Sequence, residues 1–131
     1  MTPGSPATVR PSGLSAAILV GAAAVSWLGL FIHNLADLPG QTLLSPESAF
    51  PTLIYVVLVV GWFTPARRVA EWALLIWCLL NLVGAIITVL PLPFLPFHPE
   101  QTLYHYSFHA IYGVTQIPLL VVLIRRLRDE D

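Results

Sequence analysis

Four stretches of this chain, 11–36, 48–66, 72–99 and 101–124, contain no formally charged residue. Each can hold the ~20 residues that a helix needs to cross a hydrocarbon core of about 30 Å. Since a segment in lipid must satisfy its backbone polar groups internally, the pattern predicts an all-α, integral membrane four-helix bundle. The expected helices are 14–37, 46–64, 69–90 and 100–126, forming one transmembrane domain over 14–126. A Pro-, Gly-, Ser- and Thr-rich leader at 1–13 is expected to be disordered, and a charged cytoplasmic tail occupies 127–131. The apolar run after Arg10 is too long for the hydrophobic region of a signal peptide and reads as the first span.

Two prolines test these boundaries. Pro51 falls in the first turns of the second helix, which survives if Ser45 is the N-cap and Pro46 the first helical residue, with Glu47 beside the positive end of the helix dipole. A start at Pro51 would leave only 14 residues before Pro65, short for a crossing. Pro118 leaves the Val114 carbonyl without its helical donor and is expected to kink the fourth helix.

Composition agrees with a membrane protein: hydrophobic residues make up 56% of the chain, charged ones 10%, and mean hydropathy is +0.79. Nothing in this balance favours nucleic acid as a partner, and 131 residues leave no room for a separate catalytic domain. All six basic residues are arginine. Together with the many Ala and Pro codons, this points to a GC-rich bacterial genome. Arg10 precedes helix 1, Arg67 and Arg68 join helices 2 and 3, and Arg125, Arg126 and Arg128 follow helix 4. With an even number of spans these fall on one side, so the positive-inside rule places both termini in the cytoplasm of a multi-pass protein of the bacterial inner membrane.

That orientation puts all four histidines, His33, His98, His105 and His109, on the outer side. The polar residues of each helix gather toward the same end, while 16–25, 56–60, 73–80 and 117–124 are almost wholly apolar. The expectation is a polar pocket open outward above a dry plug, with no path through the monomer. The Pro-rich segment 91–99 cannot be helical and reads as a stiff lid along the membrane surface.

His105 and His109 are four apart on one helical face, a spacing that lets two imidazoles meet one ion. His33 and Asp37 repeat the spacing on helix 1. Three nitrogens and one oxygen would suit Zn, Fe, Ni or Cu rather than Ca or Mg. The candidate metal ligands are therefore His33, Asp37, His105 and His109, with Asn34, His98, Glu100, Tyr104, Tyr112, Gln116 and Asn81 lining or supporting the pocket. The leading expectation is a non-enzymatic protein whose pocket binds a ligand, a transition metal among the candidates.

Three other readings fit the same residues. An accessory or assembly subunit of a larger membrane complex, or a homo-oligomer, would use them as an interhelical polar network. A haem- or quinone-binding redox protein would use the pocket, and a transporter would need oligomerisation to build a path. No nucleophile elbow, phosphate loop or CxxC motif is present. Cys78 is expected to be a buried small hydrophobe, and Glu71 to form a surface ion pair with Arg67 and Arg68.

Overall fold

The computed structural model describes Gly4 and residues 12–130, and the leader expected over 1–13 lies almost entirely outside them. Five α-helices form four rods: α1 Gly13–Asp37, α2 Pro46–Trp62, α3 Arg67–Ile87, and a fourth rod made of α4 Leu103–Val114 followed by α5 Ile117–Asp129. α1 packs against α2 and the fourth rod, and α3 closes the ring by packing against the same two. α1, α3 and the 27-residue fourth rod are long and apolar enough to cross a membrane, whereas α2, with 17 residues, is a shorter apolar helix.

Local chemistry sets the ends of these helices. Ser12 caps α1 by accepting from the Ser15 N–H, and Thr102 caps α4 by accepting from the His105 N–H. Ser45 is the N-cap of α2 with Pro46 at its first position, but the Ser45 hydroxyl makes no cap bond and accepts instead from the Thr42 N–H at 2.9 Å. Pro51 does lie inside α2. Its missing N–H would orphan the Glu47 carbonyl, and the Asn34 amide of α1 donates to that oxygen at 2.9 Å.

The fourth rod is interrupted where Pro118 predicts a kink, with Thr115 and Gln116 still in the right-handed helical region. Thr115 and Gln116 form a turn, closed by Gln116 N–H donating to Gly113 O, and Pro118 sits in the first turn of α5, where no N–H is needed. The turn leans on α1 at Gly29, where an added Cβ would lie 1.7 Å from Thr115 Oγ1. Glycine alone permits that approach.

The interior has two characters. Toward the arginine-bearing end, Leu19, Leu74, Leu119, Leu123, Trp62 and Cys78 are completely buried and form the dry plug. Above it runs a belt of satisfied polar groups. Ser26 bonds both Tyr55 and the Gln116 side-chain oxygen, the Gln116 amide donates to the Ser26 and Tyr112 carbonyls at 3.1 Å, and the Tyr112 hydroxyl donates to Asn81. Cys78 donates to the Gln116 carbonyl. Outside, Phe50, Val57, Val60, Val69, Ile76, Leu80 and Val114 are each more than half exposed, an apolar girdle suited to lipid rather than water.

Glu71 departs from the sequence expectation. It is completely buried and accepts from Trp62 Nε1 at 2.8 Å and from Arg126 Nε at 2.7 Å. Arg126 also donates to Ser15 Oγ and lies over the Trp62 ring, 5.0 Å from its centroid. Spacing along α3 pointed to Arg67 and Arg68. The deciding partner comes from α5, 55 residues later, which also turns part of the arginine-rich tail inward.

Candidate metal centre

His33 and Asp37 occupy the last two turns of α1, and His105 and His109 occupy one face of α4. Because α1 and α4 pack together, the two i,i+4 pairs meet. His33, Asp37 and His109 each offer a ligand atom, and these atoms lie within 4.8 Å of one another. His33 Nε2 stands 3.0 Å from His109 Nε2 and 2.9 Å from Asp37 Oδ2, and His109 Nε2 is 3.5 Å from the same oxygen. Metal–nitrogen and metal–oxygen bonds of about 2.0–2.1 Å in a tetrahedron hold neighbouring ligand atoms about 3.3 Å apart. The observed separations bracket that edge.

The protons of the two imidazoles sharpen the point. His109 Nδ1 lies 2.8 Å from the Ala85 carbonyl, which can only accept, so Nδ1 carries the proton. Asn34 donates its amide to the Glu47 carbonyl and to Ser48 Oγ, which turns its oxygen toward His33 Nδ1 at 3.2 Å. That nitrogen also donates. In neutral rings both Nε2 atoms then present lone pairs to each other and to a carboxylate oxygen. Asp37 Oδ2 is buried and, among the described residues, accepts no hydrogen bond despite these close nitrogens. Three electron-rich atoms facing one point repel unless a cation, either a metal ion or a shared proton, lies between them. Outer hydrogen bonds that fix imidazole tautomers are a usual feature of metal sites.

His105 is related to the trio differently. Its Nδ1 lies 3.3 Å from Asp37 Oδ2, and its Nε2 is buried without a hydrogen-bond partner. It touches the carboxylate without belonging to the mutually close group.

The remaining sequence candidates divide into three sets. His98, Glu100 and Tyr104 line a cavity of about 540 Å³ together with His33, Asp37, His105 and His109. Asn34 stands behind His33, as just described. Tyr112, Gln116 and Asn81 belong to the polar belt below, although the Tyr112 ring packs 5.0 Å from the His33 ring.

Neither family models, nor curated proteins, nor solved structures match this chain.

Several contributors carry no sequence signal of their own. The Ala85 carbonyl is backbone, and Ala36 and Leu38 reach the cavity only through the fold. Gln101 pins the Pro-rich segment by donating to the Val89 and Pro99 carbonyls and accepting from the Tyr106 hydroxyl. A glutamine just beyond a proline-rich run was its only visible cue.

Proposed function

We propose that this chain is a multi-pass protein of the bacterial inner membrane, with both termini cytoplasmic, that binds one transition-metal ion at its outer end. His33, Asp37 and His109 supply the ligand atoms, and His105, 3.3 Å from the Asp37 carboxylate, supports them from outside the trio. The observation that carries this reading is the convergence of two imidazole lone pairs and an unbonded carboxylate oxygen at 2.9–3.5 Å. Nitrogen and oxygen donors in this number favour Zn, Fe, Ni or Cu. The one-sided arginines support the orientation, and the apolar girdle supports contact with lipid.

The geometry suits a single ion better than haem. Two axial imidazoles bind haem iron from opposite faces of the macrocycle, whereas these nitrogens approach each other directly at 3.0 Å, beside a carboxylate. A purely structural network describes the belt of Ser26, Tyr55, Asn81, Tyr112 and Gln116 well, because its polar atoms are paired. It describes the histidine–aspartate group poorly. Metal analysis of the purified chain in lipid nanodiscs, after equilibration with Zn(II), is expected to give one ion per chain and none in His33→Ala/His109→Ala. Equal metal in both proteins would refute the assignment.

A further inference from the structure

The three ligands and His105 come from two neighbouring helices, and all four side chains also line the 540 Å³ cavity. An ion held by His33, Asp37 and His109 would have a fourth position to fill, and the space these residues line is where a ligand could supply it. The volume is typical of a site for a small organic ligand, about 300–1,000 Å³. Ala36 and Leu38 at the end of α1, Phe97 and Pro99 of the Pro-rich segment and the ring of Tyr104 give the cavity an apolar wall, and Thr88, His98 and Glu100 complete the lining. That segment is held in place by Gln101, and the Tyr104 hydroxyl donates to the Ala36 carbonyl at 3.4 Å, so the walls are tied to the same helices as the donors.

Resting on the metal reading above, we infer that the cavity is a ligand site for a small amphiphile: a compound that places an oxygen donor on the metal and a short apolar group among Ala36, Leu38, Phe97 and Pro99. A purely hydrated anion would meet the carboxylates of Asp37 and Glu100 in the same space. A purely apolar molecule would leave the metal's fourth position unused. An amphiphile satisfies both halves.

The test uses the full chain in nanodiscs loaded with Co(II), whose visible spectrum reports a new ligand on the metal. Acetohydroxamate, butyrohydroxamate and hexanohydroxamate are titrated, with affinity expressed against free ligand in water. The expected result is a spectral change with all three and an affinity rising about threefold to fourfold per added methylene, as for apolar burial. Ala36→Phe, which adds bulk from a wall residue that is not itself a donor, should keep Co(II) bound and flatten that rise. Phe97→Ala, which removes one wall, should weaken it and provides a second variant should Ala36→Phe misfold. An affinity independent of chain length, or a rise kept in both variants, overturns the amphiphile site while leaving the metal centre standing. Absence of Co(II) binding to the wild-type chain overturns both.

Discussion

His33 Nε2 and His109 Nε2, 76 residues apart in sequence, face each other at 3.0 Å with the proton of each ring committed to the opposite nitrogen. His109 and His105 should therefore contribute unequally. His109→Ala is expected to weaken Zn(II) binding by more than ~100-fold, and His105→Ala, which removes a residue outside the close trio, by about 10-fold. Competition titration against a chromophoric chelator measures both. Equal losses would place His105 in the innermost group.

Asn34 carries two duties, holding His33 Nδ1 and satisfying the carbonyl that Pro51 orphans. Asn34→Leu should lower stability by about 1–3 kcal/mol, the penalty for an unsatisfied buried carbonyl. Pro51→Ala restores an N–H to α2, so the double variant should recover part of the loss in thermal unfolding. Strict additivity of the two changes would show that the Asn34–Glu47 bond is not what Asn34 contributes.

Gly29 meets the turn between α4 and α5 at a separation that admits no Cβ. Gly29→Ala should push that turn off α1, destabilise the bundle by about 1–3 kcal/mol and weaken metal binding through the displaced α4. Thr115→Gly in the same chain should restore both properties. Gly29→Ala with wild-type melting would contradict the close packing.

At the other end, Arg126 neutralises the buried Glu71 carboxylate. Arg126→Met alone should cost about 3–5 kcal/mol, because it leaves a buried charge without its partner. Glu71→Gln added to it removes that charge and should recover most of the loss. Thermal melts of the three proteins in the same detergent check this, and a double variant no more stable than Arg126→Met would argue against the pair.

Much of this architecture could be read before folding. Charge-free windows locate the helices because a span has to be apolar along its length, and the i,i+4 repeats of His33 with Asp37 and of His105 with His109 place each pair on one face without tertiary information. Pro118 marked the weak point of the fourth rod, though not that Thr115 and Gln116 would form a turn seated on Gly29. Glu71 was misread because local spacing favours the nearest arginines, while burial was decided by Trp62 and by a residue from the last helix. The fixing of the imidazole tautomers was equally hidden. It depends on the Ala85 carbonyl and on an asparagine oriented by a proline in another helix.

The most direct measurement is X-ray absorption at the zinc edge of the Zn(II)-loaded chain in nanodiscs. The expected first shell contains at least two imidazole nitrogens and a carboxylate oxygen at about 2.0–2.1 Å, and the imidazole multiple-scattering signal drops in His109→Ala. A shell without imidazole, or one unchanged by that substitution, would contradict a metal centre built from His33, Asp37 and His109.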